Sequence, residues 1–228
     1  MLSAILLAAG KGRRLNAAVP KPLVKIGNKP AIIYSLNNLN KHPDVGEIIL
    51  VVSLANRGKI VKAVKKYPFK KIKEIVLGGL RRQDSVYNGL KAVGKRSDWV
   101  LIHDSARPFI DSKSITKVIA AAKKSGAAIL AVRPKATIKF CRQSNIVSKT
   151  LNRDRLWEAQ TPQVFKKNLL LSAYKKYSQA DVTDDASLVE KPGKRVRVVE
   201  GNYGNIKITT GEDLLLADLI VKRKAYAI

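Results

Sequence analysis

The sequence predicts an α/β fold: a Rossmann-like, mostly parallel sheet with helices on both faces and a protruding β-arm. Two observations carry this expectation. The strand-like runs are apolar throughout instead of alternating, as in strands covered on both faces. The segments between them are long enough for crossover helices and place apolar residues three and four apart. In order, Ser3 to Ala8 is an apolar run ending at a glycine and reads as a buried strand. Ala31 to Lys41 sets Ile32, Ile33, Leu36 and Leu39 at helical spacing. Glu47 to Ser53 is a second strand, Arg57 to Lys66 a helix with Ile60, Val61 and Val64 on one side, and Ile72 to Leu77 a third strand. Asp84 to Val93 reads as a helix, Trp99 to His103 as a strand, Ser114 to Ser125 as a helix and Ala127 to Val132 as a fifth strand.

The rhythm breaks after Val132. Thr137 to Thr150 has short alternating stretches and reads as a hairpin leaving the main sheet. Helical signal returns from Lys166 to Tyr177, followed by a short helix over Asp184 to Glu190. Arg195 to Glu200 and Asn205 to Ile208 read as strands. Gly211 to Lys224 reads as a closing helix with Leu214, Leu215, Ala217, Leu219 and Ile220 packed inward. With no internal repeat and no low-complexity linker, one domain with an arm is the economical description.

At 228 residues and 46% hydrophobic, the chain can bury a sizeable core. No apolar stretch approaches the roughly 18 residues that span a bilayer. The first apolar run has its basic residues after it, the reverse of a secretory signal, and Cys141 is the single cysteine, so no intrachain disulfide forms. A cytoplasmic location is expected. Forty-four Lys+Arg against 17 Asp+Glu give a net charge of +27, which attracts polyanions, both nucleic acid and phosphorylated small molecules. The alternative is a surface simply solvated by lysines. Lys65, Lys66, Lys70, Lys71 and Lys73 form the densest patch. There is no basic tail, zinc-finger spacing or RNA-binding aromatic signature, so nucleic acid is not expected as the main partner.

Four groups of residues carry chemistry. The first is Ala8-Ala9-Gly10-Lys11-Gly12-Arg13-Arg14, just after a strand. Its glycines let backbone N–H groups approach a phosphate, and Arg13, Arg14 and Lys21 add fixed positive charge. The P-loop pattern is absent, and Leu15 stands where a dinucleotide loop needs its third glycine. GxGxR followed by Pro20-Lys21-Pro22 resembles the loop of sugar-nucleotide and related nucleotidyltransferases; a glycine turn with solvated arginines is the plain alternative. The second is His103-Asp104-Ser105-Ala106-Arg107-Pro108 at a strand's C-terminal end, where open α/β sheets bind ligands. Asp104 suits Mg²⁺, which takes one or two carboxylates plus phosphate oxygens. Arg107 suits either a phosphate or an ion pair with Asp104. His103 reads as structural and His42 as a surface residue. The third is Gly78-Gly79 with Arg82, Asp84 and Ser85, a flat backbone on which a base could lie, or a turn with Asp84 as helix cap. The fourth gathers Arg153, Thr161-Pro162-Gln163, Thr183-Asp184-Asp185-Ala186-Ser187 and Asn205-Ile206-Lys207-Ile208-Thr209, hydroxyls and cations suited to a phosphate monoester. Thr183 also reads as a simple helix cap.

In this order, the four sets resemble the 2-C-methyl-D-erythritol 4-phosphate cytidylyltransferase family of non-mevalonate isoprenoid synthesis, over nearly the whole chain. The resemblance rests on AAGKGRR, Pro20-Lys21, RRQDSV at 81–86, HDSARPF at 103–109, TPQ at 161–163, TDDAS at 183–187 and NIKIT at 205–209. It implies a nucleotidyltransferase domain over residues 1–228 with a dimerisation arm at about 134–157. It implies Arg14, Lys21 and Lys207 as catalytic cations around the α-phosphate of CTP. Ala8, Ala9, Gly10, Gly12, Gly79, Arg82, Ser85 and Asp104 would bind the nucleotide, with Asp104 also holding Mg²⁺. Arg107, Thr137, Arg153, Thr161 and Thr183 would bind the acceptor's phosphate, Thr137 and Arg153 across a homodimer in the partner's site. Asn16 stands where the family usually has glycine, Pro22-Leu23 replaces Gln-Tyr or Gln-Phe, and Ser105 replaces alanine; no charged group is lost.

The implied partners are CTP and a small phosphorylated polyol, with no membrane involved. A phosphate dianion is already nucleophilic at neutral pH, which fits the lack of a convincing His–Ser or Cys–His pair. The rivals are a ribitol-5-phosphate cytidylyltransferase, a nucleic-acid-binding protein exploiting the charge, and a nicotinamide-dependent oxidoreductase. Leu15, and Ser53 in place of an acid at the end of the second strand, count against the last.

Overall fold

The computed structural model describes residues 1–10, 12, 19–142 and 145–226. Strand β1 (Leu2–Ala8) is followed by a 3-10 turn (Lys21–Leu23), the two-residue strands β2 (Lys25–Ile26) and β3 (Lys29–Pro30), and helix α1 (Ala31–Lys41). Then come β4 (Val45–Val52), α2 (Arg57–Val64), β5 (Ile72–Leu77), α3 (Arg82–Ala92), β6 (Trp99–Asp104), α4 (Ser112–Ser125) and β7 (Ala127–Val132). The last part holds β8 (Lys139–Cys141), β9 (Val147–Thr150), β10 (Glu158–Lys166), α5 (Lys167–Lys176), α6 (Asp185–Glu190), β11 (Arg197–Glu200) and α7 (Gly211–Tyr226).

The seven-stranded sheet has the order β11-β7-β10-β6-β1-β4-β5. Every neighbouring pair is parallel except those of β10, which runs antiparallel to both β6 and β7. The apolar runs are buried on both faces, as their lack of alternation predicts. Ala4, Leu6, Ile48 and Leu50 pack against α1, α2 and α4. Their neighbours Ile5, Ile49 and Val51 pack against α3, α5 and α6. This two-sided burial fixes the register, because a slip by one residue would turn every side chain to the other layer.

Four expectations need correction. Residues 158–166 form a strand that the sequence did not announce. Its polar residues Gln160, Thr161 and Gln163 are buried beside Pro162, which cannot donate to a ladder. A register shift between Ala159 and Gln163 leaves the proline unpaired, so the strand accommodates it. Asn205 to Ile208 is not a strand; the Ile208 N–H donates to the Ala106 carbonyl (2.8 Å), and the Asn205 side chain to the Thr161 carbonyl (2.9 Å). In α7, Leu215 and Leu219 point outward, 68% and 62% exposed. That helix docks through a narrow stripe of Leu214, Ala217, Ile220 and Val221 against Val24, Ile26 and Phe109. His42 is buried, its Nε2 3.0 Å from the Thr116 hydroxyl.

The hairpin expected between Thr137 and Thr150 is present. β8 and β9 pair antiparallel in a separate two-stranded sheet of exposed residues. At its root the Arg133 guanidinium lies 3.9 Å over the Trp157 ring, and Arg153 donates to the Lys135 carbonyl (2.8 Å).

Candidate functional site

The C-terminal ends of β1, β5 and β6, with the 3-10 turn and the segment before α7, enclose a cavity of about 340 Å³. Ala8, Ala9, Gly10, Gly12 and Lys21 line one side, Gly79, Arg82 and Ser85 a second, and Asp104 and Lys207 the floor. These side chains come from five separate stretches of sequence. Arg14, with Lys11, Arg13 and Asn16, lies outside the described residues.

Local chemistry explains the placement. Pro20 and Pro22 restrict the backbone around Lys21. Gly12 has φ +61°, and a Cβ there would stand 2.9 Å from the Lys21 Cβ, so only glycine lets the loop close on the lysine. The Gly79 N–H donates to the Ser85 hydroxyl (3.1 Å), and a Cβ at Gly79 would collide with Asp84. Asp84 is not the helix cap: Arg81 is, and the Asp84 carboxylate at the third helical position accepts from the Arg81 N–H (3.0 Å).

Asp104 is the electrostatic centre. Lys207 Nζ lies 2.7 Å from one carboxylate oxygen, and Arg82 Nη2 3.2 Å from the other. Burial alone would raise this carboxyl; the Arg82 and Lys207 cations overcome burial and hold it well below the usual carboxylate range. Two cations thus meet one carboxylate, and they retain access to the cavity, with side chains 28% and 40% exposed. Arg82 is also bound from behind by Asp185 (2.8 Å), a fully buried residue. Burial opposes the Arg82 charge, but Asp185 and then Asp104 outweigh it and raise the guanidinium pKa further.

Behind Asp104 runs a chain of neutral hydrogen bonds. The Asp104 N–H donates to the Thr161 hydroxyl (3.1 Å), leaving that hydroxyl to donate to His103 Nδ1 (3.0 Å). His103 Nε2–H then donates to the Arg107 carbonyl (3.0 Å). Burial, the dominant cause, lowers the His103 pKa to about 4, so the ring is neutral at pH 7 and both nitrogens are committed. His103 is structural, as expected.

Several expected ligands stand elsewhere. Arg107 does not pair with Asp104. Its guanidinium donates to the Asn205 (2.8 Å) and Ala159 (3.2 Å) carbonyls, and Nε is buried with no partner. Thr161 is buried in the chain just described. Thr183 is exposed, and the cap of α6 is Asp184, whose carboxylate accepts from the Ser187 N–H (3.0 Å). Thr137 and Arg153 lie at the root of the arm, and neither lines the cavity. Thr209 of the fourth group and Arg81 of the RRQDSV motif also line the cavity, while Leu80 was not singled out from sequence. Leu80, 95% exposed, carries no motif; only the neighbouring Gly-Gly hinted that this turn faces a ligand.

For Mg²⁺ the donor set fits in one way. Among the described residues no group of three or more His, Cys, Asp or Glu side chains could hold a metal. One ionised carboxylate is nevertheless enough when phosphate oxygens and waters complete an octahedral shell.

Comparison with known proteins follows the same geometry. The model of the 2-C-methyl-D-erythritol 4-phosphate cytidylyltransferase family matches residues 2–223. A Clostridium botulinum protein of that name is 44% identical over 223 residues, 97% of each chain. The crystal structure of 4-diphosphocytidyl-2C-methyl-D-erythritol synthase from Anaerococcus prevotii superposes with a TM-score of 0.87 at 36% identity, covering 97% of this chain and 96% of that one. The Francisella tularensis 2-C-methyl-D-erythritol 4-phosphate cytidylyltransferase gives 0.78 at 36% identity, covering 96% and 98%.

Proposed function

The chain belongs to the 2-C-methyl-D-erythritol 4-phosphate cytidylyltransferase family, and from that premise we propose that Lys21, Lys207 and Arg14 stabilise the α-phosphate of CTP during transfer. The enzyme transfers the cytidylyl group of CTP to 2-C-methyl-D-erythritol 4-phosphate in isoprenoid precursor synthesis. An oxygen of the acceptor's phosphate forms a bond to the α-phosphorus, the bond to the bridging oxygen breaks, and pyrophosphate leaves. No base is required, which agrees with a neutral His103 whose nitrogens are both occupied. The difficulty is electrostatic, since two anions must approach and charge builds at the α-phosphorus.

The observation that carries the reading is the convergence of Lys21, Arg82 and Lys207 on one cavity around the Asp104 carboxylate, which Arg82 and Lys207 both engage. In this reading an incoming phosphate takes over the cationic donors that Asp104 now engages. Asp104 would hold Mg²⁺ together with CTP phosphate oxygens, and the ion would supply charge neutralisation along the triphosphate. The glycine backbones at 10, 12 and 79, with Ala8, Ala9 and Ser85, suit the nucleotide because they offer close approach and unblocked N–H groups.

For the acceptor, Thr183 is the exposed hydroxyl at the head of α6. Arg107 and Thr161 act from behind, fixing the ends of β6 and β10. Thr137 and Arg153 serve the partner's cavity in a homodimer, a reading supported by the exposed arm and by neither residue lining its own cavity. Mixing Lys207→Ala with Arg153→Ala protein tests it: partial regain of turnover supports shared sites, and none refutes them. Highly charged substrates do not cross bilayers unaided, which favours the cytoplasm. The defining assay incubates the protein with each of the four nucleoside triphosphates, the methylerythritol phosphate and Mg²⁺. Pyrophosphate release is expected with CTP and abolished by a chelator; release without the acceptor, or insensitive to the chelator, would refute the assignment. Ribitol 5-phosphate in parallel tests the acceptor.

A further inference from the structure

Arg82 is gripped at both ends. Toward the cavity its Nε and Nη2 reach one Asp104 oxygen at 3.3 and 3.2 Å. Away from the cavity its Nη1 donates to Asp185 Oδ2 (2.8 Å), and the other Asp185 oxygen accepts from the Tyr174 hydroxyl (2.5 Å). Asp185 is 0% exposed and cannot touch a substrate. Its helix cannot drift either: Gln163 on β10 donates to Asp184 Oδ2 (2.8 Å) and accepts from the Ala186 N–H (3.2 Å). The same strand carries Thr161, which receives the Asp104 N–H.

We infer that Asp185 is a positioning residue for the transfer reaction, the fixed pivot that aims the Arg82 guanidinium at the nucleotide phosphates when Asp104 releases it. The inference rests on the reading that Arg82 meets the nucleotide. Its physical basis is the two-ended grip. A guanidinium held only by Asp104 would lose its orientation once that carboxylate turned to a metal, and a long side chain ordered anew in each cycle costs rate. Asp185 keeps one edge of the planar fork in place while Nε and Nη2 change partners. Because Asp185 sits two residues after Thr183, the pivot also ties Arg82 at the start of α3 to the proposed acceptor segment at the start of α6.

The test is a double-mutant cycle on the full chain, following pyrophosphate release at saturating CTP and acceptor, with circular dichroism to verify folding. Asp185→Asn is expected to lower kcat about ten- to a hundredfold, as loss of an orienting partner does, with the KM for CTP changed less than about threefold. Arg82→Gln should cost at least as much, and the double variant should match Arg82→Gln within about twofold, because the carboxylate acts only through the arginine. Losses that multiply in the double variant, or wild-type turnover in Asp185→Asn, would overturn the inference. Wild-type turnover in Arg82→Gln would instead remove the underlying placement of Arg82 at the nucleotide. If Asp185→Asn fails to fold because Arg82 is left short of a counter-charge, the double variant, which removes both charges, still decides between matching and multiplied loss.

Discussion

The two ends of the sheet each hold a buried carboxylate, and they satisfy it in opposite ways. At the rear, Glu47 accepts from the Ser3 hydroxyl (2.6 Å), the Gly94 N–H (2.9 Å) and Lys73 (2.9 Å). Burial would raise its pKa, but those hydrogen bonds overcome it and lower the carboxyl. At the front, the Asp104 carboxylate is engaged by two cations, Arg82 and Lys207. A carboxylate met by neutral donors and one cation is balanced and ties elements together. One bridged by Arg82 and Lys207 at a cavity, with Asp185 backing the arginine, can give up those donors to an entering phosphate. The front is thus built for exchange, and the rear, held by the Ser3 hydroxyl and the Gly94 N–H as well as Lys73, is built to stay closed.

The comparison breaks if the two ends respond alike to mutation. The largest expected effect is at the front. Lys207→Ala and Lys21→Ala should each lower kcat by about 10²–10³ while the fold survives, the usual cost of losing one preorganised charge donor; steady-state kinetics with a melting curve checks this. Next is acid stability. His103 has a folded pKa near 4 against about 6.5 in the unfolded chain, so the unfolded state binds more protons between those values. Its contribution is complete above about pH 6.5 and is lost as pH falls toward 4, roughly 3 kcal/mol in all. Urea midpoints across that range should decline in the wild type and flatten in His103→Asn. Smaller is Glu47→Gln, expected to cost about 1–3 kcal/mol of stability, the range for a disturbed buried polar group, with turnover unchanged. Smallest is Lys73→Ala. Its side chain is 46% exposed, so the pair is worth at most about 1 kcal/mol and the reaction should not notice it.

Most of the parallel sheet was legible because two-sided burial leaves uninterrupted apolar runs, as in Ile48 to Val52. β10 was not, since Gln160, Thr161 and Gln163 are buried by hydrogen bonding instead of by apolarity, and that compensation depends on partners far along the chain. The same limit explains Leu215 and Leu219: helical spacing marked an apolar face but not how narrow the dock would be. At the site, glycines and lysines with distinctive spacing were readable. The grip of Asp185 on Arg82 was not, because neither residue indicates its partner 103 positions away. Arg107 shows a related limit: a guanidinium bonded to the Asn205 and Ala159 carbonyls looks identical in sequence to one awaiting a phosphate.

The most direct test of the central claim is a crystal structure of the protein with CTP and Mg²⁺. The α-phosphate should lie within hydrogen-bond distance of Nζ of both Lys21 and Lys207, with the metal on Asp104 and Arg82 still bonded to Asp185. An α-phosphate lodged away from those two lysines, with Asp104 still closed by Arg82 and Lys207, would contradict it.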